Sequence, residues 1–210
     1  MKPYPLVLFD LDGVIIDTEP EYTVFWTQVG QECLPDQPHF ASAIKGHSLT
    51  DILGTHFPDP QQAQAVVEKL NRFEATMSFP LIPGALDFVQ ALHDRGVKTA
   101  IVTSSNQDKM RHLYQAHPEL PSHFDRIFTA EDAGRSKPTP DCYLHAAHAF
   151  GTDAHACAVF EDSPSGLASG RASGAKVYGL ATSLTPEELE GLCDVVVESY
   201  ATLNPLDFTD

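Results

Sequence analysis

Positive charge is scarce in this chain. Its 13 lysines and arginines stand against 29 aspartates and glutamates, a formal net charge of −16. A wide nucleic-acid interface would need a basic face, so that partner class is excluded. Cysteine is also scarce. The four (Cys33, Cys142, Cys157 and Cys193) have neither C-x-x-C nor C-x-x-H spacing, and read as core or helix-face thiols in a reducing compartment. No apolar stretch is long enough to span a bilayer, so no membrane partner is expected. Met1-Lys2-Pro3-Tyr4-Pro5 leads into a strand-like run with no signal-peptide core, and a cytoplasmic location is expected. Internal repeats and low-complexity segments are lacking too. What is present, 210 residues at 42% hydrophobic, suits one compact domain with a smaller insertion.

Four polar signals follow strand-like apolar runs. The first run, Leu6-Val7-Leu8-Phe9, enters Asp10-Leu11-Asp12-Gly13. Two carboxylates a few Å apart push one pKa up unless a cation offsets the like charge, although an isolated Asp-x-Asp also reads as a plain acidic turn. The others are Thr103-Ser104-Ser105 after Thr99–Val102, Ser136-Lys137-Pro138-Thr139-Pro140 after Ile127–Thr129, and Glu161-Asp162-Ser163 after Ala158–Phe160. In an open parallel sheet ligands bind outside the carboxyl ends of the strands, so these groups are expected to share one crevice.

Between the first two signals, residues 17 to 81 read as helical and polar, broken by Pro35, Pro38, Pro58 and Pro60. Thr18-Glu19-Pro20-Glu21 has the shape of a capping box, Ser48-x-x-Asp51 opens a second helix, and Gln61 to Met77 forms a long third one. From residue 82 strand and helix alternate, with Gly96, Gly151 and Gly174 as helix stops and Thr185-Pro186-Glu187-Glu188 capping a last helix. The expected fold is α/β, a doubly wound parallel sheet (1–16 and 82–210) carrying an inserted helical domain (17–81).

In this order the four signals resemble the motifs of the haloacid dehalogenase superfamily of phosphotransferases. Within it the chain is similar to the beta-phosphoglucomutase and sugar-phosphatase-like branch, over essentially its whole length. The resemblance implies a Rossmann-like core with a helical cap. It implies Asp10 as the nucleophile that forms an aspartyl-phosphate, and Asp12 as the acid and base that serves the leaving oxygen and the water. Thr103 and Lys137 would contact the transferring phosphoryl group, with Ser104 and Ser105 beside it. Mg²⁺ would be held by Asp10, the Asp12 carbonyl, Asp162, and Glu161 directly or through a water.

Relatives that cleave carbon–halogen or carbon–phosphorus bonds lack the second aspartate, so Asp12 argues for phosphoester chemistry. The implied partner is a small phosphorylated metabolite, and the short cap suggests a monomer. An acidic chain repels such a substrate at long range, so the site must supply local positive charge. Lys45-Gly46-x-Ser48 is similar to the cap segment that reaches the core site, which makes Lys45 and Gly46 candidates for substrate contact, together with Tyr22. Tyr22 and Trp26 share a helix face, which suits either a ligand wall or helix packing. Leu49 stands where the mutase pattern has an arginine for a second phosphate, and Tyr22 where it has a histidine. A phosphatase is therefore expected ahead of a phosphomutase or a hydrolase of pyrophosphate.

Overall fold

The computed structural model describes residues 4–45, 47–132 and 134–209. Six parallel strands form one sheet: β1 (Leu6–Phe9), β2 (Lys98–Val102), β3 (Arg126–Phe128), β4 (Cys157–Glu161), β5 (Lys176–Leu180) and β6 (Val195–Val197). Their spatial order is β3-β2-β1-β4-β5-β6, so the winding reverses between β1 and β4. A crevice opens at such a switch point, at the carboxyl ends of the strands.

The strands are continuous apolar runs because both faces of a parallel sheet are covered. Alternate residues of β1 serve the two sides. Val7 and Phe9 join Phe88, Val89 and Leu92 of α5 (Ala85–His93) and Met110 and Leu113 of α6 (Gln107–Ala116). Leu6 and Leu8 join Cys142, Tyr143, Ala146 and Ala147 of α7 (Asp141–Ala149). The helix α8 (Pro164–Ser173) is capped by Ser163 and ends at Gly174, whose φ of 85° needs no Cβ. Thr185 and Glu188 form the expected capping box, on a helix of one turn, Pro186–Leu189.

The segment between β1 and α5 folds on a core of its own. It contains α1 (Glu19–Cys33), α2 (Phe40–Ala43), α3 (Leu49–His56) and α4 (Pro60–Glu74). Phe25, Trp26, Phe40, Ile52, Phe57, Val66 and Leu70 fill the space between these helices. Ser48 caps α3 as expected, accepting from the Asp51 N–H at 3.2 Å. The long helix stops at Glu74, three residues short of the expected Met77. The chain leaves and re-enters the sheet at adjacent points: Asp17 N–H donates to Pro80 O at 2.7 Å and Ile82 N–H to Ile15 O at 2.9 Å. Among the described residues no helix is long and apolar enough to cross a membrane.

Candidate active site

Register places the acidic groups. Phe9 pairs with Phe160 and with Ile101, so Asp10 and Glu161 leave the sheet side by side, with Thr103 just beyond β2. After Asp10 the chain coils tightly: Val14, Ile15 and Ile16 all turn their N–H groups to Leu11 O, at 3.3, 2.8 and 3.0 Å. Gly13 permits this with a φ of +71°, and a Cβ there would lie 1.9 Å from Asp162 Oδ2. The coil therefore packs against the second acidic motif as closely as backbone can.

Lys137 ties the motifs together. Its Nζ donates to Asp10 Oδ1 at 2.8 Å, to Glu161 Oε1 at 2.7 Å and to Val102 O at 3.2 Å, and the residue is buried. Glu161 is fully enclosed. Oε1 also accepts from the Tyr143 hydroxyl at 2.8 Å, and Oε2 accepts from the N–H groups of Asp162 (3.1 Å) and Ser163 (3.3 Å) and from Ser163 Oγ (3.2 Å). Its acceptor capacity is spent, so it anchors Lys137 and the start of α8. Gly166 leaves room for it, since a Cβ there would lie 1.8 Å from Oε1. The Asp162 carboxylate accepts from Ser183.

These buried charges shape one another. Burial raises the Asp10 carboxyl, Lys137 opposes and Glu161 adds, leaving it pushed up to about 7. Burial lowers Lys137, but Asp10 and Glu161 outweigh it and hold the ammonium well above its ordinary range. Asp162 is driven well up by burial and then by Glu161 and Asp10. Asp10, Glu161 and Asp162 bring carboxylate oxygens within 4.8 Å of one another. Three buried carboxylates balanced by one ammonium leave the cluster short of positive charge, and with Glu161 saturated the oxygens of Asp10 and Asp162 are hard donors that fit a divalent cation of the Mg²⁺ kind.

Asp12 stands outside that cluster and has its own cation, which sequence reasoning missed. Lys109 Nζ on α6 lies 2.6 Å from both carboxylate oxygens, the Ser105 hydroxyl donates to Oδ2 at 2.9 Å, and the Thr18 hydroxyl donates to Oδ1. Burial raises Asp12, but Lys109 and the two hydroxyls outweigh it and hold the carboxyl below its ordinary range. The capping box expected at Thr18 does not form, because that hydroxyl is committed to Asp12 rather than to the helix N–H groups. Ser105 N–H is likewise taken, by Thr103 Oγ1 at 3.0 Å.

A cavity of about 720 Å³ joins this floor to the helical segment. It is lined by Asp10, Asp12, Thr103, Ser104, Ser105, Lys137 and Asp162 from the sheet side. Tyr22, Trp26 and Lys45 line the opposite wall, while Gly46 lies outside the described residues. Trp26 is both wall and core, at 8% exposed within the helical cluster. Lys45 pairs with Glu19 at 2.7 Å. Ser48 and Ser136 meet through their hydroxyls at 3.2 Å, a direct link from the helical segment to the Lys137 loop. The Tyr22 ring lies 4.5 Å from Lys109 Nζ, and its hydroxyl donates to Glu74 Oε1 at 2.7 Å. Glu74 also lines the wall and was not read from sequence; an acidic residue near a helix end gives no such signal.

Comparison with known proteins agrees with this architecture. A family model of haloacid dehalogenase-like hydrolases matches residues 4–174. The chain is 30% identical to glycerol-1-phosphate phosphohydrolase 2 of Saccharomyces cerevisiae, over 93% of this chain and 82% of that one. It is 32% identical to hexitol phosphatase A of Escherichia coli, over 82% and 81%. Among solved structures, a hydrolase from Pseudomonas syringae superposes with a TM-score of 0.82 at 25% identity, covering 98% of each chain. A HAD hydrolase of family IA, variant 3, from Entamoeba histolytica gives 0.81 at 24% identity over 99% of each.

Proposed function

The chain belongs to the haloacid dehalogenase-like hydrolases, and on that premise we propose that it is a Mg²⁺-dependent phosphatase acting on a small phosphate monoester of a sugar or polyol. The observation that carries the reading is the pair of aspartates two residues apart on one cavity, each held by its own buried lysine. In this reading Asp10 is the nucleophile and Asp12 the acid and base for oxygen.

Asp10 attacks phosphorus in line while Lys137 and the Thr103 hydroxyl meet the phosphoryl oxygens. The P–O ester bond breaks and the leaving alkoxide takes a proton from Asp12. At rest Asp12 is ionised; a phosphate dianion entering beside it raises its pKa by like-charge repulsion and favours the acid form it then needs. In the second half Asp12, now ionised, takes a proton from the water that attacks the acyl phosphate. Inorganic phosphate leaves and Asp10 is restored. Asp10, Asp162 and the Asp12 carbonyl would hold Mg²⁺, which would supply charge neutralisation for the two anions that must meet. Glu161 holds Lys137 in place.

Residues 17–81 act in this reading as a cap that closes the cavity and excludes water. The named relatives act, by their names, on glycerol 1-phosphate and on hexitol phosphates. Leu49 and the pairing of Lys45 with Glu19 support hydrolysis over mutase chemistry, since neither grips a second phosphate. The test is phosphate release with Mg²⁺ from a panel of phosphorylated sugars, polyols, glycolate phosphate and pyrophosphate. One polyol or sugar ester standing above about 10⁴ M⁻¹s⁻¹ supports the reading. Release from none of them overturns it.

A further inference from the structure

Glu74 is a charged side chain that the catalytic scheme leaves unused. It is the last residue of α4, only 4% exposed, and lines the cavity on the wall facing the catalytic floor. Its Oε1 accepts from Tyr22, but its buried Oε2 has no hydrogen-bond partner. A buried acceptor left unpaired is costly, and most such groups in folded proteins are satisfied. The terminal torsion of a glutamate is soft, so the free oxygen can turn to an entering donor without moving the helix.

Position gives that oxygen a meaning. On the phosphatase reading Asp12 marks where the leaving oxygen lies, and the contacts Asp12–Lys109–Tyr22–Glu74 run from there along the cavity lining. Glu74 therefore faces the part of the substrate that departs. Among the described residues no lysine is left over to neutralise a second anion there. Among the described residues lining the cavity, every lysine is already on a carboxylate: Lys45 on Glu19 (2.7 Å), Lys109 on Asp12 (2.6 Å), and Lys137 on Asp10 (2.8 Å). Burial raises the Glu74 carboxyl against the pull of Lys109 and Tyr22, as expected of an acid without a full partner.

We infer that Glu74, oriented by the Tyr22 hydroxyl, selects the leaving group. Its free oxygen accepts a hydrogen bond from a hydroxyl of a neutral polyhydroxy alcohol, and its charge turns away leaving groups that carry a second phosphate or a carboxylate. The inference rests on the phosphatase reading and narrows it to monophosphates of neutral polyols and sugars.

The experiment compares kcat/KM for glycerol 1-phosphate and for phosphoglycolate, whose leaving group carries a carboxylate, in the wild type, Glu74→Gln and Glu74→Leu. Glutamine keeps an acceptor and removes the charge; leucine removes both. The wild type should favour glycerol 1-phosphate. Glu74→Gln should raise relative activity on phosphoglycolate about tenfold, and Glu74→Leu should cost glycerol 1-phosphate about ten- to a hundredfold relative to phenyl phosphate, which has no hydroxyl to offer.

Substrate ratios unchanged within about twofold in both variants would overturn the inference. If neither variant folds, Tyr22→Phe, which removes only the orienting hydroxyl, must shift the same ratios in the same direction; no shift overturns the inference. Calorimetric binding of the two esters to Asp10→Asn and to Asp10→Asn/Glu74→Gln separates the failures. A wild type that hydrolyses no ester overturns the phosphatase reading alone. A binding preference that Glu74→Gln does not change overturns the role of Glu74 alone.

Discussion

The two sides of the cavity are built on different principles. The floor comes from the ends of β1, β2 and β4, and its polar groups are nearly saturated. Glu161 accepts five hydrogen bonds, and Lys137 is held by two carboxylates and a carbonyl. The helical wall has looser commitments: a part-exposed pair between Lys45 and Glu19, and a buried glutamate with one oxygen free. Strands buried on both faces fix their ends firmly, so the floor is preorganised for chemistry common to many esters. A helical wall with spare hydrogen-bonding capacity can distinguish among them. In the proposed reading the floor does the chemistry and the wall the selection.

The largest break in that contrast is on the floor. Asp10→Asn keeps the shape but removes the nucleophile, and phosphate release should fall by at least about 10⁴-fold while the protein stays folded by circular dichroism. Lys137→Met leaves buried carboxylates without their cation. It should cost about 3–5 kcal/mol in urea denaturation without Mg²⁺, as well as activity.

At the boundary between the two sides, Lys109→Met removes the charge that holds Asp12 low. Burial then dominates, the Asp12 pKa rises, and the acid limb of the pH–rate profile should move to higher pH with a loss of about ten- to a hundredfold in rate. An unmoved limb would mean that Lys109 only packs.

The metal gives a pH test with a definite sign. Asp10 titrates at about 7, against about 3.9 in an unfolded chain, so the metal-free fold binds the extra proton between those values. Its contribution to metal-free stability is fully present below about pH 4 and is lost as pH rises through about 7. Mg²⁺ needs the ionised form, so its affinity should rise over the same approach to pH 7, releasing a proton on binding, by calorimetry in two buffers of different ionisation heat. Chelation should stop turnover.

The smallest effects compare two threonines with the same sequence signature. Thr185→Ala loses a working cap and should cost about 1 kcal/mol of stability with no change in rate. Thr18→Ala loses no cap, because its hydroxyl serves Asp12. It should lower kcat with little change in melting temperature.

That pair also shows what could be read in the chain and what could not. The strands were legible because continuous apolar runs between glycine-stopped helices admit few arrangements, and the motifs at their ends were legible because register carries them into one crevice. Asp10, Asp12, Thr103, Lys137, Glu161 and Asp162 accordingly meet there. Local pattern could not show which competitor a side chain would choose. Thr18 prefers a carboxylate brought by the coil of residues 11–16 over its own helix. Lys109 sits in a polar helix that reads as solvated, and is buried only because Tyr22 and Asp12 arrive from elsewhere. Glu74 reads as an ordinary surface residue near a helix end until the fold places it on the cavity wall. The last two depend on contacts across dozens of residues and the first on the tight coil before the helix, which composition and spacing do not reveal.

The most direct test of the account is to look for the covalent intermediate. The protein is mixed with ³²P-labelled glycerol 1-phosphate and Mg²⁺, quenched in acid, and its peptides are mapped for label. The account predicts label on the peptide containing Asp10, lost on a chase with unlabelled substrate and absent from Asp10→Asn. Phosphate release with no labelled protein, or release retained by Asp10→Asn, would contradict it.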